Sequence, residues 1–487
     1  MRAERISPHW NTAVNLFLLN RQNHRGILCS TSFIMSVFVL PSAPSERCLD
    51  RFSILQDGQE DGDGLVPFWP LLVEVLRQPV RMPSQLIDVL DTISNSLRGS
   101  SGAAGDYGTL EAAVQEKECD FFGSIWPKIV RLALMTPRLY PEHCLPILKP
   151  GLALGLSRDQ AGCLVSHQFL CTLRPPPWRN DFVDFGIWYG SSQRHPKAVE
   201  MYLNAIFGFF KQVGDPGNHA AEEVGYALHS YDQLARPISR TWQDCALSTA
   251  VVVRVNAYST EQQELQCQGI DSAVVVSANK DIGFGQSATQ EELYMGNCPE
   301  ACPAVLVTPT LADDQVLVIQ GATPMLRISG QRRDVSWSPL EESSVTRGGR
   351  MLFMDALEID EGDNQEGLAD LLSSNIDREI KKAYTAFSSW AVGAPATVWT
   401  GLWGCGAFNG DPGVKMTLLW IAASLAGKEL RIICDSSNDK FASEFEAFIA
   451  QVLAERPAAT ASGLIEKLQR VPHTTERLAS MRWLLDS

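Results

Sequence analysis

At 487 residues the chain is long enough for two domains or one large one, and its 45% hydrophobic and 20% charged content can supply a sizeable core. A net charge of −15 argues against general nucleic-acid binding and against long-range capture of a polyanion, so any anionic ligand must be held by local groups. The twelve cysteines are scattered, several in apolar or helical contexts (Cys163, Cys171, Cys405, Cys434), which suits reduced thiols in the nucleus or cytosol. Cys298-x-x-x-Cys302 has no second pair or histidine at ligand spacing, so no metal is expected.

Residues 1–40 form a basic, partly apolar segment, with Arg2, Arg5, Arg21 and Arg25 ahead of Ile27 to Leu40. Cys29, Ser30, Thr31, Ser32 and Ser36 interrupt the apolar part, which is too short and polar for a transmembrane helix. Some transit-peptide character is opposed by Glu4, and a divergent start fits equally well. Asp57 to Gly64 is an acidic, solvated linker. From Pro67 the pattern turns helical: Phe68, Leu71, Leu72, Val75 and Leu76 recur at helical spacing. Further helices are expected at Leu86–Leu97, Phe121–Leu134, Asp159–Leu173 (with Ser157 as N-cap) and Ala198–Val213. Asn95–Asp106 is a Ser/Gly-rich loop, and the aromatic stretch at 181–190 is irregular, its rings serving the core. An all-α accessory domain over 41–235 follows.

The texture changes near Ala235. Short β-branched or apolar runs at Ala250–Val255, Ala273–Val276, Val316–Gln320, Met351–Met354, Thr397–Thr400 and Leu430–Cys434 read as strands. Helical patterns accompany them at Gln290–Tyr294, Ile376–Phe387, Val414–Ala426, Glu444–Ala454 and Ala461–Leu468. Strands alternating with helices imply an α/β layered domain over 236–487.

One stretch of this half combines a strand, a glycine turn and a helix start. Asn279 leaves the strand, Gly283-Phe284-Gly285 makes a turn that favours glycine, and Gln290-Glu291-Glu292 opens a helix. Backbone N–H groups at such a place suit a diphosphate, and two carboxylates beside it suit acid/base work. Three plainer readings fit as well. Gly283-x-Gly285-x-x-Ala288 matches a degenerate dinucleotide fingerprint, although about five residues separate it from its strand. Thr289-x-x-Glu292 matches a capping box, which spacing alone favours. An ordinary loop is the third.

Asn279, the glycine turn and Gln290-Glu291-Glu292 together resemble the signature of poly(ADP-ribose) glycohydrolases: Ala-Asn, a Gly-Gly-Gly-type diphosphate loop, then Gln-Glu-Glu. Thr400 to Asp411, T-G-L-W-G-C-G-A-F-N-G-D, is similar to that family's second segment, G-x-W-G-C-G-A-F-G-G-D. Val165 to Leu173, V-S-H-Q-F-L-C-T-L, resembles its accessory-domain helix. All three occur in the family's order, and the resemblance runs from about residue 40 to the C-terminus. It implies a macrodomain, a mixed sheet in an α/β/α sandwich, that cleaves ribose–ribose O-glycosidic bonds in poly(ADP-ribose) without a cofactor.

By the same resemblance Glu292 is the general acid/base, Glu291 orients the ribose and Asn279 bonds it at the scissile end. Backbone N–H groups of Gly283, Phe284 and Gly285 hold the diphosphate, with Gln290 beside them. Phe408 packs on the ribose or diphosphate, and Gly406, Ala407 and Asn409 form a second phosphate-binding turn. Partners would be poly(ADP-ribose) or ADP-ribosylated proteins, with no direct nucleic acid, no membrane, and a monomeric protein. A catalytically inactive ADP-ribose reader is the alternative.

The chain departs from the family pattern in several places. Phe284 interrupts the glycines and puts a Cβ where the diphosphate would pass. The spacer Gln286–Thr289 is short, and Val276 stands where aspartate is common. The segment Met325–Gln331, followed by Trp337, has no tyrosine to stack on adenine, a loss of roughly 1–3 kcal/mol. Nearby cations are Lys280, Arg327, Arg332 and Arg333, of which Arg327 or Arg332 could stack instead.

Overall fold

The computed structural model describes residues 37–55, 60–98, 105–179, 183–213, 223–234, 236–238, 242–255, 272–340, 349–359, 367–390, 396–454 and 459–486. Most of the N-terminal segment, part of the acidic linker, the centre of the Ser/Gly-rich loop and residues 181–182 lie outside these. Two compact units form: the described residues up to Ala227 together with Pro299–Pro309, and Leu228–Cys298 together with those from Thr310 onward. The division falls slightly before the change of texture at residue 235. Among the described residues no helix is long and apolar enough to cross a membrane.

The first unit is mostly helical. Helix α1 (Phe68–Leu76) buries Phe68, Leu71, Leu72, Val75 and Leu76, the residues its spacing singles out. It is followed by α2 (Pro83–Arg98), α3 (Gly108–Glu116) and α4 (Trp126–Leu134), the last continuing from a π-turn at Phe121–Ile125. Helix α5 (Arg158–Phe169) starts on a reciprocal box: the Gln160 N–H donates to Ser157 Oγ at 3.2 Å and the Ser157 N–H to Gln160 Oε1 at 3.0 Å. It ends at Phe169, four residues before the expected Leu173. There Cys171 takes a left-handed φ of 53°, and the Thr172 N–H closes on the His167 carbonyl at 3.1 Å, the bonding of a Schellman motif without its glycine. Helix α6 (Pro196–Gln212) opens on proline and is buried along most of its length.

Short strands qualify the all-α expectation for this half. Strand β1 (Val37–Val39) pairs antiparallel with β4 (Cys144–Pro146), and β2 (Arg47–Leu49) with β3 (Leu65–Pro67). Strand β5 (Ala153–Ser157) pairs with β6 (Glu223–Ser230). Three-residue pairings leave no period-2 signature in a sequence. The segment 299–309 belongs to this unit through specific bonds. Arg158 pairs with Glu300, Gln168 Nε2 donates to the Cys302 carbonyl at 3.2 Å, Trp178 Nε1 to the Thr308 carbonyl at 3.1 Å, and the Leu148 N–H to the Val307 carbonyl at 2.8 Å.

The second unit is built on strands β7 (Ala250–Val255), β8 (Ser272–Ala278), β9 (Gln315–Gln320), β12 (Arg350–Asp355), β13 (Thr397–Thr400) and β14 (Glu429–Asp435), with β10 (Leu326–Ser329) and β11 (Ser336–Pro339) forming a separate hairpin. Their order is β9-β12-β8-β13-β14-β7, with β9 antiparallel to β12 and every other pair parallel. Central β8 carries the apolar run Ala273–Val276, buried throughout, as a strand covered on both faces requires. Alternate residues such as Val252, Val275, Leu352, Val398 and Ile432 point into one core. Helices that share that core are α8 (Ser373–Phe387), α9 (Pro412–Leu425), α10 (Asp439–Ala454) and α11 (Ala461–Arg470), together with Met481 and Leu484 near the C-terminus. Helix α9 is buried on all sides, and α12 (Ser480–Asp486) closes the chain. Helix α7 (Gln290–Asn297) packs on β8, and its residues lie outside that core.

Candidate active site

A cleft of about 520 Å3 opens at the carboxyl ends of the five parallel strands. Val255 closes β7, Ser277 and Ala278 close β8, Ala356 and Gly401 follow β12 and β13, and Ile433 and Asp435 end β14. The chain leaves β8 towards β12 on one side and leaves β13 towards β14 on the other, so the crevice sits at a topological switch point. Pairing of β13 with β8 ends at Trp399↔Val274. Beyond it the Gln290 side chain takes over as a substitute strand. Its Oε1 accepts from the Ser277 N–H at 3.0 Å and its Nε2 donates to the Val275 carbonyl at 3.3 Å. Gln290 thus lines the cleft while bonding the end of β8.

Both glutamates lie in the first turn of α7 and line the cleft, 8% and 9% exposed. Glu291 staples the loop that leaves β8: its Oε2 accepts from the Asn279 N–H and its Oε1 from the Gly283 N–H, each at 2.9 Å. Asn279 Oδ1 accepts from the Asp281 N–H at 3.0 Å, an Asx turn that leaves this exposed residue at the cleft. Glu292 receives four bonds. Oε2 accepts from Thr289 N–H and Oγ1, both at 2.7 Å; Oε1 accepts from Ser287 N–H at 3.3 Å and from Ser287 Oγ. The bond from the Thr289 N–H is the return half of the capping box, so the cap and the cleft carboxylate are the same group. Gly285 is needed here because a Cβ would stand 2.7 Å from Glu292 Oε1.

The glycine turn is placed differently from the resemblance's expectation. Gly283, Phe284 and Gly285 are not among the lining residues, and the Gly283 N–H is turned to Glu291. Phe284 is buried, so its Cβ does not narrow the cleft. Eleven residues separate the end of β8 from α7, which is not the tight turn of a dinucleotide fold.

The opposite wall is the loop after β13, where Gly406, Ala407 and Phe408 line the cleft and Asn409 does not. Gly404 has φ 74°, and a Cβ there would meet Ala356 Cβ at 2.5 Å. Trp403 is fully buried, its Nε1 donating to the Met354 carbonyl at 3.0 Å. Burial pushes the Cys405 thiol well up, so it is no thiolate. Arg477 clamps the loop at both ends, reaching the Cys405 and Gly410 carbonyls. Asp411 caps α9 through the Val414 N–H at 3.0 Å and also accepts from the Leu478 N–H at 2.9 Å. Beneath them Lys415 pairs with Glu379 at 2.6 Å and Asp370 at 3.1 Å. Burial alone would lower its pKa, but the two carboxylates outweigh burial and raise it.

The tip of the β10–β11 hairpin supplies Gln331 and Arg332 to the third side. Arg332 has φ 54°, and its N–H bonds the carbonyl of Ala288, itself left-handed at φ 50°. Of the four nearby cations only Arg332 lines the cleft, against the carboxylates of Glu291, Glu292 and Asp435. Among the described residues no tyrosine lines it. Ser287, Thr289, Gln331, Asp435 and Asn438 belong to the cleft but not to the set expected from sequence. Asp435 directly follows the expected strand Leu430–Cys434, and Thr289 opens the capping-box pattern; nothing local marks the others.

A switch-point crevice carrying two buried carboxylates at a helix start defines a ligand-binding α/β domain equipped for acid/base chemistry. The poly(ADP-ribose) glycohydrolase macro domain fold matches residues 240–441, and the same family's helical domain matches 113–226. The chain belongs to the poly(ADP-ribose) glycohydrolase family, and its second unit is the family's macrodomain.

Poly(ADP-ribose) glycohydrolase 1 of Caenorhabditis elegans is 25% identical over 345 residues, 67% of this chain and 41% of that protein. Poly(ADP-ribose) glycohydrolase 2 of the same organism is 26% identical over 185 residues, 35% of this chain and 38% of that protein. The matches thus span about two fifths of these worm relatives. Among solved structures, a variant poly(ADP-ribose) glycohydrolase from Deinococcus radiodurans in complex with ADP-ribose aligns over 50% of this chain and 93% of its own. That alignment has 16% identity and a TM-score of 0.29, too low to bear on the site.

Proposed function

We propose that the chain hydrolyses ribose–ribose O-glycosidic bonds in poly(ADP-ribose), releasing ADP-ribose, with Glu292 as general acid and then general base. The observation that carries this reading is the convergence of Glu292, Glu291 and Asn279 on one cleft at the carboxyl ends of the parallel strands. In the first step the proton of the Glu292 carboxyl passes to the bridging oxygen. The C–O bond breaks with its electron pair going to that oxygen, which leaves as a hydroxyl. The substrate's own diphosphate lies near the oxocarbenium-like carbon and takes the part of a second carboxylate. Water then adds to the carbon and gives its proton to Glu292. Glu291 and Asn279 position the ribose, and Phe408 packs on it from the opposite wall. Arg332 and the backbone at Gly406 and Ala407 face the diphosphate. The protein acts as a monomer in the nucleus or cytosol.

A second reading, an ADP-ribose reader without turnover, is favoured by the four bonds that hold Glu292 within its own loop. Release of ADP-ribose from purified polymer separates the two. Glu292→Gln should lower turnover by at least about a hundredfold while ADP-ribose binding persists in calorimetry. Wild-type protein that binds ADP-ribose but releases none would make the chain a reader.

A further inference from the structure

We propose that Ser287 is the positioning residue of Glu292: its hydroxyl reverses from donor to acceptor when the carboxyl is protonated, making Oε1 the oxygen that carries the proton to substrate. This rests on Glu292 being the acid. A carboxyl that donates must first hold a proton on one oxygen, and a short bond from a backbone N–H disfavours that oxygen, because the N–H only donates and a protonated oxygen accepts more weakly. Oε2 is the less favoured of the two: besides the Thr289 hydroxyl at 2.7 Å, the Thr289 N–H stands 2.7 Å away and cannot turn. Around Oε1 the fixed donor is the Ser287 N–H at 3.3 Å, near the limit of a hydrogen bond. The other partner is the Ser287 hydroxyl, which donates in this structure and can rotate to accept. The close approach of Gly285 to Oε1 leaves no room for a side chain to take over that role. Ser287 and Glu292 both line the cleft, so the pair meets the substrate from one side.

The sequence of events balances. With Glu292 protonated, its Oε1–H rests on Ser287 Oγ. When polymer binds, that proton turns to the bridging oxygen and is transferred as the glycosidic bond breaks. Ser287 Oγ–H then turns back to stabilise the carboxylate, and the proton taken from water restores the first state. One water is consumed.

The test compares Ser287→Ala and Ser287→Thr in the full chain, by polymer turnover and by ADP-ribose calorimetry. The alanine variant should lose about tenfold in kcat, the worth of one hydrogen bond, with KM and ADP-ribose affinity within about twofold of wild type. Threonine keeps the hydroxyl and should recover most of the rate. An alanine variant as fast as wild type would overturn the proposal. So would a threonine variant no better than alanine, or a parallel loss of rate and ADP-ribose affinity, since both mark a merely structural serine. A wild type that binds ADP-ribose without turnover would remove Glu292's role and this one with it.

Discussion

Two glycines, one lining the cleft and one behind Glu292, are required for different physical reasons, and the difference predicts their substitution. At Gly285 an added Cβ would meet the carboxylate of Glu292, the far end of a flexible side chain. Gly285→Ala should therefore leave the fold intact and push Oε1 off the Ser287 donors. Turnover should fall by about tenfold or more with little change in thermal midpoint, as for other displaced catalytic groups. At Gly404 the added Cβ would meet another Cβ at 2.5 Å, on a backbone of φ 74°. Gly404→Ala should instead destabilise the protein by about 1–3 kcal/mol. Paired melts and turnover assays of the two variants check both; an unstable Gly285→Ala protein would contradict the distinction.

Among the elements, α5 carries a pH dependence of stability. His167 is fully buried between Thr136 Oγ1 at 2.6 Å and Thr172 Oγ1 at 2.7 Å. The Thr136 hydroxyl also donates to the Ala133 carbonyl, and the Thr172 hydroxyl to the His167 carbonyl at 3.2 Å. Burial pushes this imidazole from its ordinary 6.5 down to about 3. Between those values the unfolded chain binds a proton that the folded chain does not. Stability from this residue is complete above about pH 6.5 and falls as pH drops through that window, by about 1.4 kcal/mol per pH unit. Denaturant titrations of wild type and His167→Gln should therefore converge by about 2 kcal/mol between pH 7 and 5. A pH-independent gap between them would rule out a neutral buried histidine.

The elements also explain what was legible beforehand. Strands β7 and β13 match the spans of their β-branched or apolar runs, and the apolar face of α1 follows from its helical spacing. The end of α5 does not, because a left-handed cysteine replaced the usual glycine. At the site, Glu291, Glu292, Asn279 and the Gly406–Phe408 wall were readable as motifs. The Gly283 N–H was misplaced because its direction depends on where Glu291 turns after folding. Ser287, Gln331 and Asn438 join the cleft only through loop geometry.

At the scale of the molecule, the boundary between the units is not a single point in the chain. Residues 299–309 interrupt the macrodomain sequence and bury Ala301, Cys302 and Ala304 to Val307 in the first unit. A fragment of 228–487 therefore carries an apolar stretch without its partners. It should associate or precipitate, whereas the same fragment with 299–309 replaced by a Gly/Ser linker should stay soluble. Size-exclusion chromatography distinguishes them, and a monodisperse unmodified fragment would refute the expectation.

The same excursion of the chain sets an order on biosynthesis. A ribosome delivers the helical half first, yet the segment that pairs with Arg158, Gln168 and Trp178 emerges only after β7, β8 and α7. At that moment β9, β12, β13 and β14 are still unmade. Neither unit can finish before residue 309 has been translated, so the nascent chain carries two incomplete cores at once, and vectorial, one-domain-at-a-time folding is closed to it.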